Sequence, residues 1–355
     1  MSSRSRRWVW IVAAAALLGV GCGPAPPFPV AIASTPPSQS TSRPLALVTL
    51  RGNDQVIVSD LTDISYIKTL ASVGTSLAPV FVSASELSYA DESGLVRAPL
   101  AGAPKTVVSG QVVGLFGWSP DGSSVVYTTE SAAGMDVHQL TAGVDRVLGS
   151  APSGGVGGCE TIAGCAIANS LDFRLVYSPD GTYVSLVVSG FAPSTFRLWS
   201  ADGKLVRSTD AQGTTMSVWS GGTLYFRDAG GVEMWRNGAV SNFLPGVAWI
   251  RPKASPDGGK IVYAARDSSG WAHSYVVDTT TREIREIKTA RAEPIFLTSR
   301  YIWYRGERAC VETDLCGPQP PTHPSSGTTY IYDLQNGTET ETAITSVSDV
   351  WPHAA

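Results

Sequence analysis

The chain has 355 residues, 43% of them hydrophobic, enough for one large repeat domain or two ordinary ones with a substantial core. Its formal charge of −4 excludes non-specific nucleic-acid binding, which needs a basic surface. Thirty-six Gly and 23 Pro, with only 16% charged residues, favour many short strands and turns over helices, and no convincing amphipathic helical stretch follows residue 30.

The first element is an address. Arg4, Arg6 and Arg7 precede an apolar segment from Trp8 to Leu18, which is too short for the roughly 20 residues a spanning helix needs. It therefore reads as an export signal, and its small-residue exit, Leu18-Gly19-Val20-Gly21, runs into Cys22. The segment resembles a bacterial lipoprotein signal (residues 1–21), which implies cleavage before a lipid-modified Cys22; Gly19 departs from that pattern, standing where Leu or Val is preferred. A plain secretory signal or an uncleaved anchor are the alternatives, and Arg6-Arg7 leaves general secretory and twin-arginine export both open. Without the signal the charge becomes −7, because residues 1 to 21 hold three Arg and no acid. Residues 22–44 carry seven Pro and form an extended tether of about 3 Å per residue.

From Leu45 to the end, a single domain (45–355) is built on one repeated element. In Phe116-Gly117-Trp118-Ser119-Pro120-Asp121-Gly122-Ser123-Ser124-Val125-Val126-Tyr127 an apolar run enters, Ser-Pro-Asp-Gly turns it, and a β-branched run leaves. Pro presets φ at the second turn position, Asp bonds the backbone two residues on, and Gly accepts positive φ, so two strands meet in a hairpin. The turn recurs at Ser178 and Ser255 and, degenerate, at Ser83, Ser220 and Ser299, with steps of 36, 59, 42, 35 and 44 between successive Ser. Steps of this order suit a four-stranded propeller blade.

Third strands follow at Val56-Ile57-Val58, Leu95-Val96-Arg97, Val137 to Leu140, Phe196 to Trp199, Val232 to Trp235, Tyr275-Val276-Val277 and Tyr330-Ile331-Tyr332. They predict an all-β, seven-bladed β-propeller, or six blades if the last unit extends its neighbour. Leu45 to Leu50 lacks an innermost partner, and Val347 to Pro352 looks like an innermost strand with nothing after it. The C-terminal strand is therefore expected to join the first blade and close the ring.

The Trp-Ser-Pro-Asp-Gly element with its flanking strands resembles the repeat of TolB-like propellers, bacterial envelope proteins related to the Trp-Asp-repeat propellers. The resemblance covers about residues 45 to 352. Two departures matter: the family's namesake has six blades and a separate N-terminal α/β domain, whereas this chain parses as seven with only a Pro-rich tether. The resemblance thus supports the fold more than a partnership with the peptidoglycan-associated lipoprotein.

Besides Cys22, Cys159 and Cys165 form one close pair and Cys310 and Cys316 another. In an exported chain they predict disulfides, each worth roughly 2 to 2.5 kcal/mol for so short a loop. Four cysteines allow three pairings; local pairing is expected because the two insertions sit about three blades apart. The spacing does not favour zinc. One pair lies between blades and the other between second and third strands, and both connection types emerge on one rim, opposite the Ser-Pro-Asp-Gly hairpins. The second-to-third connections Glu130 to Met135, Ser189 to Ser194 with Phe191, and Asp267 to Ala272 with Trp271 and neighbouring His273 share that rim. Long loops on one face of a rigid scaffold are where binding concentrates. Phe191, Trp271, His273, Glu160, Arg305, Glu307, Glu312 and Asp314 are the ligand-binding candidates, with Arg308 beside them.

No nucleophile, Walker, H-E-x-x-H or calcium-loop motif stands out. Ser119 belongs to a repeated turn, which assigns it a structural role. The expectation is a monomeric, extracytoplasmic, lipid-anchored envelope protein that binds an envelope protein, a peptide or a glycan, without catalysis, cofactor or metal. The alternative is an extracytoplasmic hydrolase or lyase on the same scaffold.

Overall fold

The computed structural model describes residues 43–74, 79–110, 113–132, 134–152, 172–189, 195–209, 215–308 and 327–353. Cys22 and the rest of the signal and tether up to residue 42, all four internal cysteines, and Glu160, Phe191, Glu312 and Asp314 lie outside them.

The described strands form seven four-stranded antiparallel sheets with no helix among them. Six sheets are consecutive in the chain, each laid down from its inner strand outward. Blade 1 is composite: Ile344–Trp351 supplies its inner strand, followed outward by Leu45–Leu50, Asn53–Asp60 and Lys68–Gly74. All seven predicted third strands are third strands, and the predicted closure is the observed one. Leu45 pairs with Trp351, Ala46 with Val350 and Leu47 with Asp349.

The core is divided among the blade interfaces, because each sheet is apolar on both faces and buries each against a neighbour. Seven apolar clusters correspond to the seven interfaces. The cluster at the seam joins Ala46, Val48 and Ile57 of blade 1 to Leu297, Trp303 and Ile331 of blade 7, with Ile344 between them. Trp303 Nε1 donates to Ile344 O at 3.0 Å, so its one polar group is satisfied in the buried site. The seam is thus a packed apolar interface of the same kind as the other six.

The repeated turns behave as their residues dictate. Ser119 Oγ donates to Asp121 Oδ1 at 2.6 Å and accepts from Ser124 N at 2.9 Å, while Gly122 sits at φ 68°. Ser178 with Asp180 and Ser255 with Asp257 repeat the pattern. Bonded in this way, the carboxyl of Asp121 titrates at about 2, held down first by the Ser119 hydroxyl and then by Ser123. These serines and aspartates are occupied in building turns.

Strand direction sorts the connections onto two rims. First-to-second and third-to-fourth turns lie on the hairpin rim; second-to-third and blade-to-blade connections lie on the loop rim. The segments flanking residues 153–171 and 309–326 both end on the loop rim. Leu45 pairs with the hairpin end of Ile344–Trp351, so Arg43 and Pro44 enter on the hairpin rim, where Pro352 and His353 also emerge.

Candidate functional site

The inner strands of blades 5, 6 and 7 share an irregularity at their loop-rim ends. In each, one extra residue is inserted opposite the second strand, between Thr215 and Val218, Ile250 and Lys253, and Ala292 and Ile295. Within these bulges Met216, Arg251 and Glu293 adopt left-handed backbone, with φ of 52°, 49° and 56°. None is glycine, so each position stores strain of about 1–3 kcal/mol. Two of the three precede a proline, Pro252 and Pro294, a residue that cannot donate to a ladder and is accommodated at a bulge.

The bulges bring charges together where the central channel opens on the loop rim. Arg251 Nη1 of blade 6 pairs with Glu293 Oε1 of blade 7. Arg305, on the second strand of blade 7, places Nη2 at 3.7 Å from Glu293 Oε2, and its Nε is buried with no hydrogen-bond partner among the described residues. Arg174 reaches forward from the inner strand of blade 4, and its Nη1 donates to Ser217 O at 2.8 Å and Pro252 O at 3.4 Å, the carbonyls that follow two of the left-handed residues. Two guanidinium groups therefore flank the Glu293 carboxylate, and a third, Arg174, is bound to the backbone of the neighbouring bulges, in a chain whose overall charge is −4. Because channel walls focus field, the local sign matters more than the total.

Of the predicted candidates that the structure describes, Arg305 belongs to this cluster and the others lie outward on the same rim. Glu307 is a staple between blades: its side chain is 2% exposed, its Oε2 accepts from Ala272 N at 2.7 Å, and its Oε1 lies 3.1 Å from Arg266 Nη2. Trp271 closes a tight turn in which its N–H donates to Asp267 Oδ1 at 3.0 Å. His273 lies between two carboxylates, Nδ1 at 2.9 Å from Glu286 Oε1 and Nε2 at 3.1 Å from Asp267 Oδ2. The Glu286 hydrogen bond raises the imidazole pKa, burial opposes it, and Asp267 adds to the rise. The blade 3 connection is shorter than expected, since its strands extend to Ser131 and resume at Gly134. Arg174, Arg251 and Glu293 were not singled out from the sequence. The Arg-Pro and Glu-Pro dipeptides inside apolar runs were the available signal.

A cleft of about 580 Å³ opens on the opposite, hairpin rim between blades 3 and 4. Here Tyr177 and Gln139 stand where the interface of blades 2 and 3 has Trp118 beneath Arg97. Its polar floor is internally consumed. Gln139 Nε2 donates to Tyr177 Oη at 2.8 Å, and Arg146 donates to Gln139 Oε1 and to the carbonyls of Ala201 and Asp202. The channel mouth, by contrast, keeps unspent donor capacity at Arg305.

Fold and site together define a seven-bladed β-propeller with a cationic channel mouth on its loop rim. No family model and no curated protein matches the sequence. Solved structures do resemble it: a prolyl endopeptidase at 11% identity over 86% of this chain and 50% of that one (TM-score 0.55), and a puromycin-hydrolyzing peptidase from Mycobacterium tuberculosis at 15% over 86% and 53% (TM-score 0.52). TolB from Acinetobacter baumannii is similar at 16% identity over 87% of this chain and 65% of that one, with a TM-score of 0.43. This chain thus spans about half of each peptidase and just under two thirds of that TolB. At such identities the likeness concerns the fold alone.

Proposed function

We propose that the protein is a recognition propeller of the bacterial cell envelope, lipid-anchored through Cys22 and displayed outside the cytoplasm, that binds an envelope partner through its loop rim. The carrying observation is the segregation of the two rims. Both described chain ends leave on the hairpin rim, so a tether attached there leaves the loop rim open, and that rim holds the strained bulges and the three arginines. Rigid inner strands carrying a charged mouth suit recognition, since a site on strands is held more firmly than one on loops.

The test is position-specific photo-cross-linking in cells. A photoreactive phenylalanine analogue at Trp271 on the loop rim should capture a discrete partner, whereas the same group at Tyr66, 68% exposed on the hairpin rim, should not. Partner capture from Tyr66 alone would reverse the assignment. In the same cells, Cys22→Ala should move the protein from the membrane to the soluble fraction, and unchanged membrane association would remove the lipid anchor from the account.

A further inference from the structure

We propose that the loop-rim mouth of the channel is a carboxylate-binding site whose resting occupant is Glu293, and that its ligand is an acidic peptide segment of the partner. The proposal rests on the loop-rim reading above and specifies what that rim recognises.

Glu293 occupies its place under constraint. Its backbone is held left-handed at φ 56°, next to Pro294, and its carboxylate bridges two arginines unequally. Arg251 is directly paired to Oε1, whereas Arg305 stays 3.7 Å from Oε2, longer than a hydrogen bond. The Nε of Arg305 is also buried and, among the described residues, unbonded. A guanidinium in that state lacks the two-point carboxylate contact for which its fork is shaped. An incoming carboxylate that took Nε and Nη2 of Arg305 together would supply it, with Glu293 retained by Arg251 or displaced toward solvent. The charged side chains at the mouth are partly open, with Glu293, Arg251 and Arg305 each 25–28% exposed and Arg174 half-buried, so reaching the covered Nε of Arg305 takes the movement of a side chain and not of a strand.

The neighbouring bulge indicates which carboxylate. Met216 holds the position equivalent to Arg251 and Glu293 one blade earlier, its half-buried side chain packed on the apolar cluster between blades 5 and 6 at the edge of the mouth. A thioether adapts to apolar side chains, which a peptide has and a polyuronate lacks. The described rim presents no fully exposed aromatic ring on which a sugar would stack; Trp271 is partly buried in its turn.

Isothermal titration of the tethered or tether-free propeller with triglutamate, its triamide and trigalacturonate tests this. Triglutamate should bind, the neutral triamide should not, and the affinity should fall as salt rises. Arg305→Ala should weaken triglutamate at least tenfold, Arg305→Lys should fall between, keeping the charge without the fork, and Glu293→Gln should tighten binding severalfold by removing the competitor. Thermal unfolding of each variant confirms that it is folded. No binding to either the wild type or Glu293→Gln overturns the proposal, as does triglutamate binding indifferent to Arg305. Trigalacturonate binding in place of triglutamate would overturn the peptide assignment. Cross-links at Trp271 with no triglutamate binding would remove this inference alone, whereas loss of both would remove the loop-rim reading with it.

Discussion

Ring closure by the last strand makes a steep prediction for a small deletion. Ending the chain at Ala343 removes Ile344–Trp351, the inner strand of blade 1. Ile344 is 1% exposed, and Leu45, Leu47 and Val48 on the strand it pairs with are no more than 1% exposed. Losing Ile344 outright and half the cover of the other three costs roughly 4 to 7 kcal/mol, at about 1.5–3 kcal/mol per fully buried side chain. The Trp303 indole also loses its acceptor, and the Phe81 amide loses Asp349 Oδ2, which it meets at 2.7 Å. Each such orphaned group adds about 1–3 kcal/mol. The total reaches the whole stability of an ordinary domain, about 5–15 kcal/mol. Thermal unfolding followed by tryptophan fluorescence, comparing chains 43–343 and 43–355, should show a cooperative transition only in the longer one. The single change Asp349→Ala should lower the midpoint while keeping the transition. A truncated chain that melts cooperatively at the unchanged temperature would refute the closure.

Two further predictions concern packing and charge. A Cβ added at Gly117 would lie 2.4 Å from the backbone oxygen of Leu175 on the next blade, so Gly117→Ala should cost about 1–3 kcal/mol as overpacking, read as a lower melting midpoint, whereas Gly52→Ala at the loop rim meets nothing within 4 Å and should show only the smaller strain of its positive φ. For His273, whose folded pKa is raised above the ordinary value near 6.5 by Glu286 and Asp267, the stabilisation is fully present below pH about 6.5 and disappears as pH rises through the folded value. The stability gap between wild type and His273→Gln should therefore be larger at pH 6 than at pH 9, and a gap that widened with pH would contradict the ion-pair geometry.

Blade number and closure were legible because each blade repeats the same local chemistry. A Ser-Pro-Asp-Gly turn forms from its own residues, so even degenerate copies such as Ser83 to Glu86 mark a first-to-second hairpin. The channel mouth was far less legible. Arg174 meets Ser217 and Pro252 across 43 and 78 residues of sequence, a contact that exists only once the ring has curved. Arg251 and Glu293 face one another only because bulges take both out of the strand alternation, and alternation was the rule by which the strands were read. For Glu307, an acid in a long connection suggests a solvated ligand contact, and the structure adds what the sequence does not show: Arg266 and the Ala272 amide hold its 2%-exposed side chain between two blades.

The most direct test of the central claim is a crystal structure of residues 43–355 grown with triglutamate. The account predicts carboxylate density on Nε and Nη2 of Arg305, with Glu293 either held by Arg251 alone or turned toward solvent, and in both cases no longer bridging the two arginines. Triglutamate in the hairpin-rim cleft beside Tyr177, with the Glu293 bridge intact, would contradict it.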